Sequence, residues 1–190
     1  MPTDQSRVYI RKISKQDEAE FIKLMKESQA LHEPWISAPT SPALYRYYMD
    51  RVRREDHEGF VICLTNGDDI VGAININNIV RGSFQSASLG YYVGAKFNGQ
   101  GLMFEGLTLL VKHACSTLGL HRLEANIQPE NLPSQRLVER CGFVEEGISK
   151  DFLYINGAWR DHVRWCYVDA RSSLRAGLNE MPKFSRWKAQ

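Results

Sequence analysis

The segment from Ser86 to Gln128 constrains the fold more than any other part of the 190-residue chain. It reads as a strand (SASLGYYVG, 86–94), a turn holding Gly99 and Gly101, a helix from Leu102 to Leu118, and a second strand (HRLEANIQ, 121–128). Gly119 stands where a helix C-cap belongs. A strand–helix–strand unit of this length can set its two strands parallel. The glycine turn therefore sits at a helix N-terminus, where the first N–H groups lack an intrahelical partner and the helix dipole is positive. Two readings of the turn are open at this point: a bend without a ligand, or a cradle for phosphate.

The flanking sequence supplies the rest of a sheet. RVYIRKIS (7–14) alternates like a strand. From Lys15 to about Ala30, Phe21, Ile22, Leu24 and Met25 are spaced for one helical face, and Pro34 in HEPW (32–35) interrupts the helix. SPALYRYYMDRVRREDHE (41–58) opens with Ser-Pro, a good helix entry. GFVICLT (59–65) and IVGAINI (70–76) read as strands joined by an NGDD turn. NLPSQRLVERCGF (131–143) reads as a short helix. Two last strands, near 144–155 and 158–168, meet at Asn156-Gly157, a strong hairpin signal. The order is strand, two helices, three strands, helix, strand, helix, two strands. That predicts a mixed α/β (α+β) domain over residues 1–190, with 170–190 as a C-terminal tail and length enough for a core.

Other classes are disfavoured. Formal net charge is only +2. The densest cationic stretch, Arg51 to Arg54, is diluted by Glu55 and Asp56 and reads as a solvated helix face, so no nucleic-acid binding is expected. Cys63, Cys115, Cys141 and Cys166 form no C-x-x-C and no zinc-ligand spacing, so no metal is expected and a reduced, cytoplasmic chain is the simplest reading. The N-terminal MPTDQSRVYI has no apolar signal core. No run of about 18 apolar residues could span a membrane.

Taken alone, Gly99-Gln100-Gly101 is not a dinucleotide fingerprint, because Phe104 stands where the third glycine would be; nor does a Gly-Lys-Ser/Thr close it as a P-loop. Its context favours the cradle: strand before, long helix after, Lys96 at the entrance. Glycines let backbone approach an anion closely, and their amides can hold a diphosphate without cationic side chains.

At KFNGQGLMFEG (96–106) the chain resembles motif A of the GNAT acetyltransferases, Gln/Arg-x-x-Gly-x-Gly/Ala. NLPSQRLVERCGF resembles the next motif of that family, an Asn-led helix ending in Gly-Phe. NIVRGSF (78–84), LGYYVG (89–94), GLMFEGLT (101–108), HRLEAN (121–126) and INGAWRDHV (155–163) extend the resemblance to the RimJ-like ribosomal-protein alanine N-acetyltransferases, over roughly residues 7–168. The resemblance implies a GNAT fold: a mostly antiparallel, twisted sheet of about seven strands, splayed at the cofactor site and flanked by helices. It implies acetyl-CoA as cosubstrate. The amides of Asn98, Gly99, Gln100, Gly101, Leu102 and Met103 would take the pyrophosphate. The backbone of Val93 and Gly94 would pair with the pantetheine and polarise the thioester carbonyl, and Asn131 would bind the cofactor arm. Three positions depart from the family pattern: Lys96 for Gln or Arg, Val138 where many relatives carry an acidic Tyr, and Asn126 where some carry a base Glu.

Acetyl transfer from a thioester to an amine needs a deprotonated amine and a protonated or stabilised leaving thiolate. Ser134, one turn after Asn131, shares its side of the helix. It is the candidate proton donor to sulfur, the alternative being that both residues only cap the helix. The base is open among Glu33, Glu124 and Asp161 with His162. Strand alternation puts Arg122, Glu124, Asn126 and Gln128 on one face, which lines the acceptor site or meets solvent. Trp35, Tyr45, Tyr47 and Tyr48 wall the acceptor groove or pack ordinarily. Glu33, Trp35, Arg81 and Asn126 are the acceptor-binding candidates. An α-amine has a pKa of about 7.7–8.0 and a lysine about 10.4. An α-amine can therefore shed its proton to water, and the lack of an obvious base leans toward N-terminal amines. The resemblance implies the N-terminus of a protein as acceptor, a ribosomal protein starting with Ala or Ser. The alternatives are a small amine, or an acetyl-CoA-binding ribosome-associated factor with weak activity. Monomer and homodimer are both open.

Overall fold

The computed structural model describes residues 6–33 and 35–170. The expected tail, from residue 171 onward, and Pro34, on which the stiffness of the HEPW loop rested, lie outside the described residues. The elements are β1 (Val8–Lys12), α1 (Glu18–Glu27), α2 (Gln29–His32), α3 (Pro42–Val52), β2 (Glu58–Leu64), β3 (Ile70–Val80) and β4 (Ser86–Val93), then α4 (Leu102–Ser116), β5 (Arg122–Ile127), α5 (Leu132–Arg140), β6 (Val144–Ile155) and β7 (Ala158–Val168).

The expected order is found, with three local differences. The first expected helix breaks at Ser28, whose hydroxyl donates to the Leu24 carbonyl (2.6 Å) and accepts from the Ala95 amide (2.8 Å). That bond ties the start of α2 to the end of β4. The α3 helix begins as read, with Ser41 capping Leu44 N–H and Pro42 at its first position. It stops at Val52 rather than near Glu58, because the polar run that follows offers nothing to bury and Asp56 instead gathers the side chains of Arg54 and His57. Lastly, β3 runs past Ile76 to Val80: its Asn-rich end reads as loop but pairs with β4 through a bulge between Asn77 and Val80.

The strands form one seven-stranded sheet in the order β1-β2-β3-β4-β5-β7-β6. All neighbours are antiparallel except β4 and β5, the pair joined through α4. Their ladder has four rungs, Ser86↔Arg122 to Leu89↔Ala125. Beyond it β4 continues to Val93 and β5 to Ile127 with no pairing between them, so the sheet splays there. The last hairpin turns at Asn156 (φ 50°) and Gly157 (φ 83°), both left-handed as a tight two-residue turn requires.

Each face of the sheet carries its own core. Under α4 and α5 lie Ile62, Ile74, Ile76, Leu107, Leu110, Leu123 and Val138, all fully buried. Under α1 and α3 lie Phe21, Met25, Tyr45, Tyr48, Val61, Ala73 and Tyr92. Each fully buried aliphatic side chain of this kind is worth about 1.5–3 kcal/mol. The α4 helix packs so closely that a Cβ on Gly106 would stand 2.4 Å from the Ile62 side chain. Tyr45 and Tyr48 are core residues, not groove walls: their hydroxyls donate to the Ser14 carbonyl and to Asn75 Oδ1, each at 2.6 Å. Tyr47 is 73% exposed.

Candidate active site

A cavity of about 1150 Å3 passes through the sheet at the splay. From the α4–α5 face it is lined by Asn98, Gly99, Gly101, Met103, Asn131 and Ser134. From the α1–α3 face it is lined by His32, Trp35, Arg51, Asn77, Glu124 and Arg164.

The glycine turn shapes one end. Gly99 (φ 73°) and Gly101 (φ 79°) are left-handed, a conformation that strains any residue with a Cβ. Gly101 precedes α4 without a side-chain cap. The first intrahelical bond runs from Glu105 N–H to the Gly101 carbonyl (3.2 Å), which leaves the amides of Leu102, Met103 and Phe104 without intrahelical acceptors. Asn98 is different from expectation: its amide is spent on the Ala95 carbonyl (3.2 Å). Gln100 does not line the cavity. Its carbonyl accepts from Arg7 Nη2 (2.9 Å), and the Arg7 guanidinium is held in turn by Glu105. Arg7 and Glu105 lie 98 residues apart, and no sequence signal joined them. Lys96 is drawn toward Asp69 (3.8 Å) and is not in the cavity wall. Instead Arg136 and Arg140, one turn apart on α5, bring cations to this end, Arg140 over the Phe104 ring.

At the middle of the cavity stands the end of β4, paired with β3 on one edge and open on the edge toward β5. Antiparallel pairing turns alternate residues toward β3: the Gly94 amide bonds the Val71 carbonyl at 2.8 Å. Gly94 therefore cannot also polarise a thioester, a correction to the sequence reading. The alternation turns the Val93 backbone toward the gap, and its carbonyl accepts from His32 Nε2 at 2.9 Å. The proton is thereby fixed on Nε2, and Nδ1 is buried without a partner. Burial pushes the His32 imidazole below its ordinary pKa, against the opposing bond to Val93, so the ring is neutral at pH 7. Asn131 caps α5, its Oδ1 accepting from Ser134 N–H at 3.3 Å. The Ser134 hydroxyl lies 2.5 Å from the hydroxyl of Tyr91, a residue the sequence did not single out. Burial pushes the Tyr91 phenol far above its usual pKa, so it is protonated at neutral pH.

The other face of β5 forms the far wall. Leu123, Ala125 and Ile127 join the α4–α5 core, so Glu124 and Asn126 face the other way, into the cavity. Glu124 is not a free carboxylate: Oε1 takes Arg122 Nε (2.8 Å) and Oε2 takes Arg164 Nη2 (2.5 Å). Glu33 is exposed, accepts from Gln29 Nε2 (3.1 Å) and does not line the cavity. Arg81 is also elsewhere, donating to the Leu118 carbonyl past the far end of α4. Asp161 turns to Lys150 (2.6 Å), whereas His162, on the opposite side of the strand, lines the cavity and bonds the Arg160 carbonyl. Trp35 is in the wall, its carbonyl held by Gln128 Nε2 at 3.1 Å. Arg51 and Arg54 are in the wall too; Arg51 is half-buried rather than on a solvated helix face, whereas Arg54 is exposed as its sequence context implied. Among the described residues, the charged lining thus comprises five arginines (51, 54, 136, 140 and 164) and one acid, Glu124. Five cavity-lining residues, His32, Arg51, Asn77, Asn126 and Arg164, each keep a buried polar side-chain atom without a partner. Such atoms are rare in folded interiors. Among the described residues no group of three or more His, Cys, Asp or Glu could hold a metal, and no helix is long and apolar enough to cross a membrane.

These features fit a nucleotide thioester: open amides and arginines for phosphates, a narrow splay for an extended arm, a strand end open on one edge for a carbonyl. Comparison with known proteins agrees. Residues 7–144 match the family model described as an acetyltransferase (GNAT) domain. The [ribosomal protein uS5]-alanine N-acetyltransferase of Escherichia coli is 48% identical over 95 residues, a match that spans 50% of this chain and 49% of that protein. The spermidine N(1)-acetyltransferase of Vibrio cholerae is 25% identical over 86% of this chain and 93% of its own. Among solved structures, Mycobacterium smegmatis RimJ in complex with CoA-disulfide superimposes with a TM-score of 0.77 at 29% identity, covering 90% of this chain and 89% of that one. Fold, cavity and comparisons lead to one assignment: the chain belongs to the GNAT acetyltransferase family and is an acetyl-CoA-dependent N-acetyltransferase.

Proposed function

We propose that the acceptor is the N-terminal α-amine of a protein, with a ribosomal protein beginning with Ala or Ser as the natural substrate. The charge of the acceptor wall carries this reading. A polyamine is a multiple cation and needs carboxylates; among the described residues the wall holds one, Glu124, with both oxygens already taken by arginines. Like charges facing one another repel, so Arg51, which has no acid partner among the described residues, selects against a polycation. A peptide N-terminus brings one ammonium and a row of neutral amides, which suit Asn77, Asn126 and Trp35. The match to the uS5-alanine enzyme supports a ribosomal acceptor, and the match to the spermidine enzyme defines the competing reading.

In this reading the amides of Leu102, Met103 and Phe104 take the pyrophosphate, and the Val93 amide meets the thioester oxygen. The α-amine gives its proton to water, consistent with its pKa of about 7.7–8.0 and with the lack of a free carboxylate among the described residues of the cavity lining. The amine then adds to the carbonyl carbon, and the C–S bond breaks as the carbonyl reforms. Ser134 O–H protonates the departing sulfur, and the proton that the nitrogen sheds as the amide forms returns through water to the serine oxygen. A phenol is the better donor of the two hydroxyls, so Tyr91 donates to Ser134 and leaves the serine proton free to point at sulfur.

Thiol release from acetyl-CoA tests the acceptor. A lysine-free peptide beginning with Ala should be turned over; an N-blocked peptide containing lysine and a set of polyamines should not. Turnover confined to the polyamines would overturn the acceptor and leave fold and cosubstrate standing.

A further inference from the structure

We infer that Arg51 forms a carboxylate-binding subsite on the acceptor wall, so that the preferred peptide carries Asp or Glu one or two residues behind its free α-amine. This rests on the peptide-acceptor reading above and goes beyond it by naming the sequence class.

Three arginines stand on the α1–α3 side of the cavity, and two already have acids. Arg54 forks onto Asp56 through Nε and Nη2, both at 3.1 Å. Arg164 bonds Glu124, reaches Ser149 Oγ at 3.3 Å, and lies over the Phe152 ring. Arg51 has no carboxylate partner among the described residues. Asp50, its neighbour on α3, turns outward to Arg53 at 3.2 Å. Arg51 is half-buried, and its Nε is buried without an acceptor. Its surroundings are the neutral hydroxyls of Tyr92 and Tyr48, phenols that burial keeps protonated and that cannot balance a cation. A guanidinium withdrawn from water without an acid is costly, and its planar fork matches a carboxylate.

Position sets the register. Tyr92 directly precedes Val93, whose amide faces the thioester, and Arg51 lies beside the Tyr92 hydroxyl. The guanidinium is therefore about one tyrosine side chain from the strand end where the amine reacts. One to two residues of extended peptide, at about 3.3–3.6 Å each, span that gap. The reacting amine itself is uncharged when it attacks, so a cationic wall does not oppose it.

The test is kcat/KM on three C-terminally amidated peptides that begin with Ala and carry Glu, Gln or Lys at both the second and third positions. Amidation leaves the side chains as the only source of carboxylate. The wild type should prefer Glu over Gln by about tenfold, the size of one charged hydrogen-bonded contact, with Lys poorest. The Glu preference should shrink as salt is raised. In Arg51→Gln the Glu to Gln ratio should fall to about one. Arg51→Lys should keep part of it, and Arg53→Gln, outside the cavity, should keep all of it. A wild-type ratio near one, or a ratio unchanged in Arg51→Gln, overturns the subsite while the peptide reading stands. If no peptide is acetylated at all, the peptide reading fails and takes the subsite with it. Should Arg51→Gln not fold, the Arg51→Lys ratio and the wild-type salt dependence decide: no preference in the wild type, or one indifferent to salt, overturns the inference.

Discussion

Ser134 owes its orientation to two neighbours, the Asn131 cap that accepts from its amide and the Tyr91 phenol that meets its hydroxyl. Removing the hydroxyl should leave the cosubstrate bound and slow its use. Ser134→Ala is expected to lower kcat by roughly 10²-fold, the lower end for a general acid, with little change in KM for acetyl-CoA. Tyr91→Phe, which keeps the ring and loses the donor, should cost less than that in the same direction. Wild-type turnover in Ser134→Ala would remove the serine from the mechanism. The sequence pointed to Ser134 because helical spacing from Asn131 is a local relation. It gave no hint of Tyr91, whose contact spans 43 positions, or of His32, which meets Val93 across 61. Arg51 was misread for a related reason. Neighbouring acids in a sequence say nothing about which way each side chain turns, and here Asp50 and Asp56 are spent on Arg53 and on Arg54 with His57.

At the scale of elements, strands and helices were legible from periodicity, and so was the glycine turn that opens α4. What was not legible is which backbone groups the fold had already used. Asn98 and Gly94 were both offered as donors, yet a short 3-10 turn takes the first and pairing with β3 takes the second. Such commitments depend on register, which no local pattern displays. The open amides of α4 make a direct prediction. Gly101→Glu should abolish acetyl-CoA binding by calorimetry in a protein whose circular dichroism shows it folded, since a carboxylate there competes with phosphate for the same N–H groups. Gly101→Ala carries the left-handed strain alone, about 1–2 kcal/mol, and should bind measurably. Unchanged affinity in Gly101→Glu would end the cradle assignment.

Over the whole molecule, the topology followed from one strand–helix–strand unit embedded in antiparallel neighbours. The parallel pair it makes is also the shortest join in the interior of the sheet, four rungs against six between β5 and β7. Bound acetyl-CoA should therefore slow amide hydrogen exchange most at the ends of β4 and β5 and in the first turn of α4, with the β6–β7 hairpin little changed. At a hundred times its dissociation constant it should add about 2.7 kcal/mol to stability. Protection confined to the hairpin would place the cosubstrate elsewhere.

The splay has a further meaning for the architecture. Strands β1 to β4 and β5 to β7 are two leaves of a book whose spine is the short β4–β5 ladder, and the reactants are inserted between open pages. Whatever lies there touches both leaves at once. The cargo is then also a structural member, a temporary keystone that is set and withdrawn with every turnover.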